Sequence, residues 1–124
     1  MQQEDICLRK FVSSNDLVYT IVRNTKMRVV LDCVFDHLSN EPESVIVLKS
    51  DSQGVQKLVS ITELLKERIK NNSVVIKEVE SNVKSTEYTQ LNYINDSHLW
   101  IYLDFSHKGK NEYDEMLQSG WFYN

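Results

Sequence analysis

The sequence predicts an α/β fold of the α+β sandwich kind: a four-stranded mixed sheet, two main helices and the option of a short C-terminal helix. Three observations carry this. Apolar spacing switches along the chain between a period near 3.6 and a period of 2, which separates helix from strand and gives the order β-α-β-α-β-β. One short run, residues 44–48, is apolar almost without interruption, as a strand buried on both faces must be. The length, 124 residues, suits one domain with one real core.

Residues 1–16 carry little periodicity and read as an N-terminal arm, with Ile6, Leu8, Phe11 and Val12 able to tie it down. In residues 17–22, Tyr19 and Ile21 alternate with Val18, Thr20 and Val22, which predicts the first strand. Asn24 or Thr25 is then placed to cap a helix. Met27, Val30, Leu31, Val34, Phe35 and Leu38 recur at helical spacing until Ser39-Asn40-Glu41-Pro42 stops them. After the apolar strand, Ser50, Asp51 and Ser52 offer caps for a second helix over residues 54–70. Its apolar stripe is Val55, Leu58, Val59, Thr62, Leu65 and Ile69, with Ile61 and Leu64 off it.

Residues 74–83 predict a third strand, and the polar stretch 84–98 a long hairpin loop containing Tyr88 and Tyr93. Leu99, Ile101, Leu103 and Phe105 alternate with Trp100, Tyr102 and Asp104, which predicts the fourth strand. Residues 17–106 therefore make the folded domain. Residues 107–124 form a C-terminal extension, with a short helix over 112–118 and an aromatic end, Trp121-Phe122-Tyr123.

Fourteen basic and eighteen acidic residues leave a formal charge of −4, so the chain is not a generic polyanion binder. The charge is unevenly spread. Up to Lys70 ten basic residues balance ten acidic ones, and beyond it four face eight. No apolar run is long enough to span a bilayer and the N-terminus is not a signal peptide, so an intracellular protein is expected, with no membrane partner. Cys7 and Cys33 match no redox or zinc spacing, and Cys33 falls among apolar residues as a small buried hydrophobe. His37, His98 and His107 also lack ligand spacing, so neither metal nor cofactor is expected. With no glycine-rich phosphate loop and no nucleophile–base arrangement, no catalytic residue is assigned.

The strand–helix order, the Asn24-Thr25-Lys26 turn and the block Ser52-Gln53-Gly54-Val55-Gln56-Lys57-Leu58-Val59, leading to Thr62-Glu63-Leu64-Leu65, together resemble the Alba superfamily. That family includes archaeal chromatin proteins, plant and protist RNA-binding proteins, and the paired small subunits of ribonuclease P and MRP. The resemblance covers residues 17–106 and implies an Alba-like domain there. It implies nucleic-acid contact by Lys26, with Arg28 close by, and by Lys57, while Val55 and Glu63 match the second-helix pattern. Four departures weaken duplex DNA binding as an inherited role. Ser52 replaces a usual Gly, Gly54 a usual Ala and Met27 a second basic residue, and residues 84–98 hold one Lys, no Arg and no Gly.

Lys26, Arg28, Lys57, Lys49 and Arg23 are the candidate nucleic-acid contacts, set against the plain alternative of solvated surface charge. Tyr88 and Tyr93 either stack on unpaired bases or anchor their own loop. The resemblance further implies a dimer built on the second helix and later strands. Ile61 and Leu64, costly if exposed, fit such a surface. Trp121, Phe122 and Tyr123 join it or cover the sheet edge. The expected function is that of a non-catalytic RNA-binding dimer subunit of a ribonucleoprotein of the ribonuclease P/MRP kind, nuclear or cytoplasmic. It pairs with a second copy or with another Alba-like chain, a basic hetero-partner suiting the acidic charge. A chromatin-type DNA binder and a protein-interaction module without nucleic-acid affinity are the alternatives.

Overall fold

The sheet is built from strands β1 (Leu17–Ile21), β2 (Val45–Ser50), β3 (Thr89–Asn95), β4 (His98–Asp104) and β5 (Phe122–Tyr123), in the order β1-β2-β4-β3-β5. Only β1 and β2 run parallel, and the other neighbours are antiparallel. Helix α1 (Met27–Asn40) links β1 to β2, α2 (Val55–Lys70) follows β2, and α3 (Lys110–Gln118) follows β4. The structure, a computed structural model, describes residues 12–70, 88–104 and 110–124. The expected strand 74–83, His107 and residues 1–11 of the expected arm lie outside them.

Each face of the sheet carries a core, and β2 shows why its sequence is apolar throughout. Ile46 and Leu48 enter one core with Ile21, Ile101 and Leu103, beneath Val30, Leu31, Val34 and Leu38 of α1 and Leu58, Ile61, Leu65 and Ile69 of α2. Val45 and Val47 enter a second core with Leu91, Trp100, Tyr102, Trp121, and Tyr113 and Met116 of α3. Burying an aliphatic side chain of this size contributes about 1.5–3 kcal/mol, so strand positions apolar to both sides fix β2 in the interior of the sheet. Helix α1 ends as expected, with Glu41 closing it through a bond to His37 O and Pro42 following.

The stretch expected to be a long loop holds a strand. Thr89–Asn95 pairs along its length with β4, and the loop shrinks to Asp96–Ser97, both at positive φ (48° and 67°) as a two-residue hairpin turn requires. Polarity hid the strand: Gln90 and Asn92, on its α2 side, are buried but bonded to each other through Gln90 Nε2 and Asn92 Oδ1. Among the described residues the sheet has five strands: three of the four expected, together with Thr89–Asn95 and Phe122–Tyr123, which pairs with β3. Trp121 is buried against Tyr93 and Tyr102 and covers the chain's own sheet, while Phe122 and Tyr123 are exposed.

The second helix corrects two further expectations. Val59 is exposed, whereas Ile61 is fully buried and Leu64 packs against the first core, so neither Ile61 nor Leu64 supplies an open surface. Cys33 is a free thiol and half-buried rather than buried.

Candidate nucleic-acid interface

Parallel pairing puts the C-terminal ends of β1 and β2 side by side, with Ile21 opposite Ser50. Each strand feeds a helix, so α1 and α2 both begin at this end of the sheet. Ligands of open sheets with parallel strands commonly sit at such an end. Gly54 draws the two starts together. A Cβ there would stand 2.7 Å from the Ile21 carbonyl oxygen and 3.2 Å from Val22 Cα.

The caps differ. Asp51 Oδ1 accepts from the backbone N–H groups of Gln53 and Gly54, at 3.1 and 3.0 Å, so Asp51 is the residue of its trio that closes the turn leading into α2. Neither Asn24 nor Thr25 caps α1. Thr25 Oγ1 instead accepts from Val22 N–H across the turn at 2.8 Å, and Lys26 occupies the cap position in extended geometry with no side-chain cap. The first turns of both helices lack acidic residues. Uncapped amides at the positive end of a helix dipole attract anions.

Four of the five candidate residues gather here. Arg23 lies in the turn after β1, and Lys26 opens α1; both are exposed. Helical spacing puts Arg28 on the side of α1 that carries Leu31 and Phe35, away from His37, whose ring bonds Asn15 O on the far side. The same spacing puts Lys57 on the side of α2 that carries Ile61 and Leu64. These are the facing sides of two helices packed on one core, so Arg28 and Lys57 flank the mouth of the groove between them. Of the two acidic residues of α1, both exposed, Asp36 lies on the outer surface, while Asp32 stands one turn after Arg28 and sets a carboxylate beside it.

Lys49 is not part of that group. Alternation along β2 sends it to the opposite sheet face, where its Nζ lies 4.8 Å from the ring centroid of Trp100. The two loop tyrosines are engaged as anchors: Tyr93 stacks on Trp121 at 5.3 Å, and Tyr88 lies under Lys66 Nζ.

The far side of α2 carries a surface that sequence reasoning read only in part. Lys66 Nζ bonds Gln90 Oε1 at 3.0 Å and Glu63 Oε2 at 2.8 Å, which turns this side of the helix toward β3. Burial by itself would lower the pKa of Lys66, but Glu63 and Tyr88 outweigh it and hold the ammonium above its ordinary value. Val59, two turns before Lys66, shares that side. Ile94 alternates with Gln90 and Asn92, and Phe122 pairs with Asn92, so both stand on the same sheet face. Val59, Ile94 and Phe122 are 43%, 62% and 42% exposed, an apolar strip beside α2. In the sequence Val59 reads as part of the α2 stripe and Phe122 as part of the aromatic end, and only Ile94 falls in a polar stretch.

Among the described residues, no group of His, Cys, Asp and Glu is arranged to hold a metal, and no helix is long and apolar enough to cross a membrane. No curated protein and no solved structure matches the chain. A family model described as Alba matches residues 11–83, which takes in β1, α1, β2 and α2 with the groove between the helices. Proteins of this family are generally non-catalytic, bind nucleic acids and form dimers. With more than half its length matched, and with the α/β sandwich that the match implies, this chain belongs to the Alba family.

Proposed function

We propose that this chain is a non-catalytic, RNA-binding subunit of a dimeric ribonucleoprotein of the ribonuclease P/MRP kind, working in the nucleus, the cytoplasm or both. The observation that carries the reading is the shared mouth of α1 and α2. Arg28 and Lys57 flank it, Lys26 and Arg23 stand alongside, and one helix start is uncapped. Charge and amide donors together hold phosphates in such a place. RNA is favoured over chromatin-type DNA binding because the chain is acidic overall and the described hairpin turn, Asp96–Ser97, brings no base to a duplex.

The dimer half of the reading is supported by the strip of Val59, Ile94 and Phe122, which a second copy or another Alba-like chain would cover. A salt-titrated RNA-binding assay tests the whole. Replacing Lys26, Arg28 and Lys57 by Glu abolishes binding while the circular dichroism spectrum is kept. Unchanged binding rejects the groove, and no affinity at low salt in the unaltered dimer establishes the protein-interaction alternative instead.

A further inference from the structure

We infer that the bound nucleic acid turns over the end of the β1–β2 pair, from the Arg28–Lys57 groove past Arg23 to Lys49 on the opposite sheet face, and that the site thereby selects an unpaired strand. The inference rests on the RNA-binding reading above and adds to it the form of RNA that fits.

Lys49 is prepared for a phosphate. Its ammonium lies over Trp100, its cross-strand partner, itself only 1% exposed. A lysine held over an indole has already lost much of its rotamer freedom, and the ring face takes up charge without consuming the three N–H donors. Its other cross-strand neighbour is Thr20, so no carboxylate stands beside it in either adjoining strand. Further along the sheet on this face Glu112 is committed to Tyr102 OH and Asp104 to Tyr113 OH, while Asp114 and Glu115 of α3 are exposed. Val18, Thr20 and Val22, on the same face of β1, are exposed, so no described element covers the way from Arg23 to Lys49.

The dimensions then choose the ligand. The groove and Lys49 lie on opposite sides of a sheet that carries a helix layer, an edge roughly 20 Å thick given layer spacings of about 10 Å. A B-form major groove, about 12 Å wide, admits one helix or a two-stranded ribbon, not such an edge. An A-form RNA duplex is less accommodating, since its major groove is narrow and its minor groove shallow. A duplex therefore reaches one side at a time. An unpaired strand bends between nucleotides and reaches both.

The test compares a single-stranded RNA with its annealed duplex in salt-titrated binding to the full chain, Lys49→Gln and Lys49→Arg. The unaltered chain binds the single strand several-fold more tightly than the duplex. Lys49→Gln loses that preference: its single-strand salt slope falls by about 0.7, the share of one phosphate contact, while its duplex affinity stays put. Lys49→Arg keeps the preference, because a guanidinium also stacks on Trp100 and holds its charge. Equal or tighter duplex binding by the unaltered chain overturns the inference, and so does a Lys49→Gln chain that binds the single strand undiminished. Undiminished binding by an Arg28→Glu, Lys57→Glu chain is a separate result, which overturns the RNA groove itself.

Discussion

The carbonyl oxygen of Ile21 lies 2.7 Å from the point where a Cβ on residue 54 would stand, so β1 and the entry to α2 meet at a glycine. Ser50 Cβ and Val22 Cα, each 3.2 Å from the same point, close off any sideways escape. Gly54→Ala therefore has to separate the two helix starts. It destabilises the fold by about 1–3 kcal/mol, the common cost of overpacking, which exceeds the gain of up to about 1 kcal/mol that alanine brings as a helix former. Denaturant titration reads the loss. RNA affinity measured on the folded fraction also falls, because Lys57 moves away from Arg28.

Asp51 holds the entry to α2 from the other side, and its charge opposes its usefulness. Asp51→Ala removes the acceptor of two backbone N–H groups and costs about 1 kcal/mol. Asp51→Asn keeps an acceptor and discards a negative charge from the mouth of the groove. Its stability stays close to that of the parent, while its RNA affinity at low salt rises and converges on the parent's as salt screens the difference. Equal affinities at low salt would mean that phosphates do not approach this helix start.

The attachment of α3 is sensitive to base. Tyr102 OH donates to Glu112 Oε1 at 2.9 Å and Tyr113 OH donates to Asp104 Oδ2, one bond in each direction between β4 and α3. Burial, then the Glu112 carboxylate, pushes the Tyr102 phenol far above its ordinary value near 10; burial, then the bond to Asp104, raises Tyr113 in the same direction. A group whose folded pKa is raised contributes stability in full below its unfolded pKa, and that contribution drains away as pH climbs above it. Denaturation midpoints should hold between pH 8 and 9 and fall progressively above about 10, where free tyrosine ionises. Tyr102→Phe flattens that decline. A decline equally steep without Tyr102 would assign it elsewhere.

Much of this was legible beforehand because the physics involved is local. The alternation of Leu99, Ile101 and Leu103 with Trp100 and Tyr102 requires no partner to be read, and it matches the division between the two cores. What stayed hidden depends on neighbours. Gln90 and Asn92 look like loop residues until Lys66 and each other satisfy their amides. Val59 and Ile61 both extend the apolar arc of α2, and only the position of α1 decides that Ile61 is buried and Val59 is not. Lys49 stands two residues from Val47 on the same strand, so its parity was plain. An all-apolar β2, however, does not say which face the helices will occupy, and Lys49 was grouped with residues that lie across the sheet from it.

Ile94 offers the sharpest test of the dimer. At 62% exposed it is the most open apolar residue of the strip, and it lies at the Ser50–Leu99 end of the sheet, where α2 also begins. Its side chain belongs to neither core among the described residues, so Ile94→Asp spares the monomer and places an unpaired carboxylate in any covering surface. Burying such a charge is strongly unfavourable. Light scattering on the unaltered chain should give twice the 14.6 kDa of one copy, and Ile94→Asp should give one. RNA affinity drops with the mass, because two linked grooves gain from effective concentration and one does not. A parent chain that runs at 14.6 kDa alone but doubles its mass only with a second Alba-like chain would identify the same strip as a hetero-dimer surface. One that stays single with every partner would leave Val59, Ile94 and Phe122 as ordinary exposed residues and remove the dimer from the proposal.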